Sequence, residues 1–131
     1  MTDHAIDLLA AIEEAVPPLE GGWHSAPKPG GEYPYGTFYI TRSKRGPCNT
    51  YEHFGIVNVW CRGEADEPTP ATAAECYRLS SLVLEALDGG AFPVKGFAVH
   101  HFRADEPRRE LQADGTWRGF FTFTATTSEG A

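Results

Sequence analysis

No run in this sequence approaches the ~18 consecutive apolar residues that a membrane span requires, so no membrane partner is expected. Cysteine is scarce. Cys48, Cys61 and Cys76 are odd in number and widely spaced, which argues against a disulfide framework and for reduced thiols in a cytosolic setting. Positive charge is also short. Eleven Lys and Arg stand against 18 Asp and Glu, a formal net charge of -7. A generic duplex-binding surface needs clustered cations to displace counterions, so no specific nucleic-acid binding is expected. The one basic cluster, Arg42-Ser43-Lys44-Arg45, reads as a solvated loop tip. The N-terminus has no charged segment leading into an apolar run, and no signal peptide is expected.

The usual signatures of chemistry are missing too. Five histidines and three cysteines show no CxxC, HxxxH or HExxH spacing. His100 and His101 are neighbours in a predicted strand, so alternation aims them at opposite faces. There is no GxSxG elbow and no recognisable Cys–His pair. Cys61 and Cys76 read as small core hydrophobes. The acid pairs Glu13-Glu14 and Asp105-Glu106 read as solvated surface. Gly30-Gly31 and Gly89-Gly90 lack the strand–turn–helix context of a phosphate cradle. The expectation is a protein with no catalytic residue, metal or cofactor, and not an enzyme.

What the chain does have is aromatic and alternating. At 131 residues it is expected to be one domain, residues 1–131, large enough for a core without staples. Residues 3–16 predict a first helix, with Thr2 or Asp3 as N-cap and an apolar stripe of Ala5, Leu8, Leu9, Ile12 and Val16. Pro17-Pro18 ends it. A Pro/Gly-rich connector follows over 17–32, with Trp23 as its hydrophobic anchor. Residues 33–42 predict a strand, 43–51 a polar loop, and 52–62 a second strand. In the second, Val57, Val59 and Cys61 share one face, and Phe54, Ile56, Asn58 and Trp60 the other. Both faces are apolar enough to ask for cover. After an acidic loop, Thr69-Pro70 opens a second helix to about Leu87 or Asp88, stopped by Gly89-Gly90. Its buried stripe is predicted as Ala73, Cys76, Tyr77, Ser80, Val83, Leu84 and Leu87. Residues 96–104 predict a third strand and 105–116 a charged, turn-rich connection, with a short extended piece at 109–111. The stretch 114–129, DGTWRGFFTFTATTSE, closes the chain as a fourth strand. It places Trp117, Gly119, Phe121, Phe123 and Ala125 on one side and Arg118, Phe120, Thr122, Thr124 and Thr126 on the other. The expected fold class is α+β: an antiparallel sheet of about four strands with two helices on one face, in the order α-β-β-α-β-β.

Two runs carry a resemblance. VNVWCR (57–62) leads through a polar loop into the helix ATAAECYRLSSLVLEAL (71–87), and DGTWRGFFTFTATTSE closes the chain. With the N-terminal helix and the Pro34-Tyr35 strand start, this pattern resembles the small tail-terminator or tail-completion proteins of long-tailed bacteriophages and prophages. The resemblance covers most of the chain, although the connector at 20–32 lacks the apolar run of many relatives. It implies a virion protein, assembled in the bacterial host cytoplasm. Such a protein forms a ring, usually of six subunits, on the head-proximal end of the tail tube. The ring stops tube polymerisation and joins tail to head. The implied partners are further copies of the chain, the tail-tube protein and a head or neck connector. The residues expected to meet those partners are Arg42, Lys44, Arg45, Arg108, Arg109 and Phe120, with the loops 42–51 and 105–115. A head-completion or neck role in the same virion is the nearest alternative. A small ligand-binding or enzymatic domain using His101, Tyr39 and Trp60 is a more distant one.

Overall fold

A computed structural model of the chain describes residues 3–24, 32–62, 70–88, 97–113 and 115–129. The predicted caps at Thr2 and Thr69, the glycine stop at 89–90, the acidic loop and the link through Phe92-Pro93-Val94 lie outside those residues. Two helices, α1 (Asp3–Ala15) and α2 (Pro70–Leu87), accompany six strands. The strands are β1 (Trp23–His24), β2 (Tyr35–Arg45), β3 (Thr50–Cys61), β4 (Phe97–Ala104), β5 (Arg108–Leu111) and β6 (Trp117–Glu129). The fold is α+β, but the sheet is larger than expected and the element order differs. Two short strands flank the four long ones. β1 adds in parallel to β2, so the sheet is mixed rather than purely antiparallel.

The long strands run β2-β3-β6-β4, each pair antiparallel. β6 sits next to β3 although α2 and two strands separate them in sequence. β4 and β5 share one edge of β6: Ala104 pairs with Phe123, and Arg108 with Phe120. The segment read as a charged connection is therefore mostly ladder. Pro107, which has no N–H to give, falls in the gap between the two pieces. Thr122 accepts from the Asp105 amide across that gap at 3.1 Å.

The strand faces follow alternation. On β6, Phe121, Phe123 and Ala125 are buried beside Val57, Val59 and Cys61 of β3. Phe38 of β2 and Phe102 of β4 join them, and Phe102 stacks on Phe123 at 4.9 Å between ring centres. Leu8 and Ile12 from α1, Val16 just after it, and Ala73, Cys76, Val83 and Leu87 from α2 close this core from above. Tyr77 departs from its predicted stripe. It lies exposed on the outer side of α2, with the Arg109 guanidinium 5.7 Å from its ring centre.

Two contacts set how closely the cover sits. A β-carbon at Gly119 would lie 2.0 Å from Ser80 Oγ and 3.1 Å from Cys76 O, so β6 is bare where α2 crosses it. Ser80 Oγ donates to Cys76 O at 2.8 Å, and the Cys76 thiol to Val59 O at 3.4 Å. At the other end, the Trp23 ring occupies the space a side chain on Gly36 would need, at 2.3 Å. Trp23 packs on Phe38 at 5.4 Å and donates from Nε1 to Pro17 O at 3.0 Å, which ties the connector to the core as expected of an anchor.

The turn before β6 falls where the sequence suggests, whereas the β2–β3 turn is tighter than expected. Gly115 takes a φ of 88° in the turn before β6. Cys48 and Asn49, at φ 55° and 58°, form the central pair of the β2–β3 turn. Two successive left-handed residues match the twist of the flanking strands. The predicted loop over 43–51 shrinks accordingly to 46–49.

Replacement of Gly119 by valine forces α2 off the sheet. The expected loss is about 1–3 kcal/mol, read from denaturant unfolding. Thiol labelling gives a second check. Cys48 is exposed, whereas Cys61 and Cys76 are buried. The hydrogen bond to Cys76 and burial push the Cys61 thiol far above the ordinary range. A native sample should show one fast-reacting thiol, the other two reacting only on unfolding.

Candidate partner-binding site on the open sheet face

The second face of the sheet has no helix over it among the described residues. Its composition follows from the same alternation: Tyr35, Thr37 and Tyr39 on β2, Phe54, Ile56, Asn58 and Trp60 on β3, Arg118, Phe120, Thr122 and Thr124 on β6. At one end an aromatic–arginine ladder crosses the strands. Tyr35 stacks on Trp60 with ring centres 6.0 Å apart and planes 20° apart. The Arg118 guanidinium stands 5.8 Å from the Trp60 ring and 4.0 Å from the Phe120 ring. Arg108, from β5, reaches the same Phe120 ring at 5.1 Å. Tyr33 and Arg62 extend the ladder beyond Tyr35, the guanidinium 5.9 Å from the ring. Each cation gains from the ring quadrupole, and each ring is partly shielded from water by the guanidinium.

Beneath the ladder lies a polar chain. Arg118 Nε donates to Asn58 Oδ1 at 2.7 Å, and Asn58 Nδ2 donates to Thr37 Oγ1 at 3.0 Å. Thr37 and Asn58 are 0% and 3% exposed, although both belong to the uncovered face. The surrounding rings hide them. The chain fixes Arg118 through one of its nitrogens, which keeps its guanidinium plane over Phe120 rather than free to swing.

The candidate residues divide between the two sides of the sheet. Phe120 lies on the open face, opposite Asn58, in the register that its sequence parity implied. Arg108 is its direct neighbour on β5. Arg42 and Lys44 reach the same face through a bulge. Between Ile40 and Arg42 the ladder slips by one residue, and Thr41 Oγ1 donates to Phe54 O at 2.9 Å. Arg42 then stands opposite Phe54, 4.2 Å from its ring centre. Arg45 and Arg109 are on the helix-bearing side, where Arg45 donates to Asn49 Oδ1 at 3.4 Å and Arg109 approaches Tyr77. Arg108 and Arg109 are thus separated by alternation, and the loop tips expected to carry the cations are strands instead. Sequence parity grouped Tyr35, Trp60 and Arg118 with the right neighbours within each strand; which faces of the three strands coincide follows only from the register.

A second bulge corrects the histidine reading. It lies between Val99 and His101. His100 Nε2 meets Ser128 Oγ, and His101 stands opposite Thr126, so the two lean to the same face. Even so, the described residues hold no group of three or more His, Cys, Asp or Glu able to bind a metal. Tyr39, Trp60 and His101 do not converge. Tyr39 pairs with Ile56, four positions along β3 from Trp60, and His101 pairs with Thr126 opposite Glu52, eight positions from Trp60. At ~3.3 Å per residue these separations are about 13 and 26 Å.

One polar group escaped the sequence reading. His53 is fully buried on the helix-bearing side. Its Nδ1 lies 2.8 Å from Ser43 Oγ and its Nε2 2.9 Å from Thr127 Oγ1. A catalytic Ser–His pair places a carboxylate on the far nitrogen; here a hydroxyl takes that position, and the imidazole joins three strands.

No family model matches the chain, and no curated protein matches it. Among solved structures the chain is similar to one from the virion of a native gene transfer agent particle, at a TM-score of 0.56 and 13% identity. The likeness covers 98% of this chain and 86% of that one. It establishes a shared fold over the full length of the domain.

Replacing Asn58 by alanine leaves Thr37 Oγ1 and Arg118 Nε without this buried partner. A loss of about 1–3 kcal/mol is expected in denaturant unfolding.

Proposed function

We propose that this protein is a structural component of a phage-like virion. It caps the head-proximal end of a tail tube as a ring of identical subunits, stops tube growth and joins tail to head. The observation that carries the reading is the likeness to a virion chain, which covers 98% of this chain. The motif runs at 57–87 and 114–129 support the tail-terminator role within that class. The open face supports assembly. Large aromatic and arginine side chains on a rigid sheet are the residue types enriched at protein interfaces. Under this reading the protein acts by shape and contact, with no reaction, cofactor or metal, and its partners are its own copies, the tail-tube protein and a head or neck connector.

The test is to add the full chain to polymerising tail-tube protein and measure tube lengths by negative-stain microscopy. Tubes are expected to shorten as the protein is raised, with a ring at one end. Unchanged tube lengths, together with binding to filled heads instead, would assign it to head completion.

A further inference from the structure

The open sheet face is rich in cations, five Lys and Arg side chains against the acids Glu52, Asp105 and Glu110, whereas the exposed charges on the outer stripe of α1 are all acidic. The open sheet face presents Arg42, Lys44, Arg103 and Arg108 as exposed cations, with Arg118 held beside them. On the other side, the outer stripe of α1 exposes Ile6, Ala10, Glu13 and Glu14. These positions recur at helical spacing, so they form one continuous ridge. No ion pair among the described residues reaches Glu13 or Glu14. On α2, by contrast, Arg78 already engages Glu75 and holds its carboxyl below the usual value.

Glu13 also stands at a hollow of about 260 Å³ between α1 and the Trp23 edge. Leu9, Ala10, Trp23, His24 and Phe38 complete its lining. An apolar wall with indole and phenyl surface and a carboxylate beside it suits one type of side chain. Arginine has an aliphatic stem that packs on such a wall and a guanidinium that stacks on rings while bonding a carboxylate.

We propose that this hollow receives an arginine from the open sheet face of a second copy. The α1 ridge of each subunit then lies on the sheet of the next. The inference rests on the ring reading above and names its contact. The two surfaces differ and lie on opposite sides of the subunit, so the contact is head-to-tail, the kind that builds a ring when the rotation between neighbours closes. Joining the sheets edge to edge would be opposed by charge. The free part of β2 carries Arg42, Lys44 and Arg45, and β4 carries Arg103, so cations would meet cations.

The experiment uses the full chain in sedimentation velocity at low and at 0.5 M salt. Wild type is expected to self-associate, more weakly at high salt. Glu13→Arg and the double variant Arg42→Glu/Arg108→Glu should each associate about tenfold more weakly or less than that. Mixed together, the two variants are expected to form a 1:1 complex, because one retains an intact sheet face and the other an intact hollow. That complex also shows that both variants are folded. Three outcomes overturn the proposal: wild type remains monomeric, Glu13→Arg assembles as wild type does, or the mixture gives no complex. Equal binding of a single-stranded oligonucleotide by wild type and Glu13→Arg, without self-association, would assign the cationic face to nucleic acid instead. Tube-length measurements on the same samples separate the two readings. A Glu13→Arg protein that still assembles and shortens tubes removes the contact and leaves the cap. A wild type that assembles through the hollow but leaves tubes long removes the cap and leaves the contact.

Discussion

Where α2 crosses β6, Gly119 leaves a bare stretch of backbone, and the Ser80 hydroxyl occupies the space that any larger residue would fill. Close approach at this point brings Cys76, Val83 and Leu87 onto Val59, Phe121 and Cys61. Gly36 performs the same service for Trp23 at the opposite end of the sheet. With both points closed, the helices cover one side of β2, β3 and β6. The other side is then free to carry rings and cations that the core has no use for. The division of labour between the faces depends on the absence of two side chains.

The open face is polar and aromatic at once, and its order explains how both are tolerated. Thr37 and Asn58 would be costly to bury unpaired. They satisfy each other and Arg118, and the rings of Tyr35, Trp60 and Phe120 surround them. The arginines in turn lie over those rings rather than over bare water. A surface arranged this way keeps its shape before any partner arrives, which lowers the entropy lost on contact. His53 on the opposite side ties β2, β3 and β6 with hydroxyls and adds rigidity of the same kind.

Much of this was legible from residue order. Alternation assigned Phe121, Phe123 and Ala125 to one side of β6 and Phe120 to the other, and helical spacing found Leu8, Ile12, Cys76 and Val83. Pro70 and the turn at Gly115 marked their boundaries. What escaped was anything that depends on register or on a break in it. Arg42 changes side because Thr41 bulges, and no local pattern announces that slip. β5 was legible only as a short extended piece at 109–111, without a partner, because its four residues are exposed throughout and show no apolar alternation. β1 has only two residues, too few for any periodicity. Tyr77 fitted the helical stripe by spacing, yet it lies exposed beside Arg109. The aromatic–arginine ladder was written in four separate strands, and its assembly required knowing which residues stand side by side.

The bulge at Thr41 makes the electrostatic sidedness of β2 tolerant of chain length. Omitting that single residue would let Arg42 follow Ile40 directly and still stand opposite Phe54. Arg42 and Lys44 would keep the open side, and Ser43 and Arg45 the other. What would exchange charges between the layers is drawing Thr41 into the ladder, which would set it opposite Phe54 and carry Arg42 round to His53. Copies one residue shorter at this bulge would therefore still offer a neighbour the same cations.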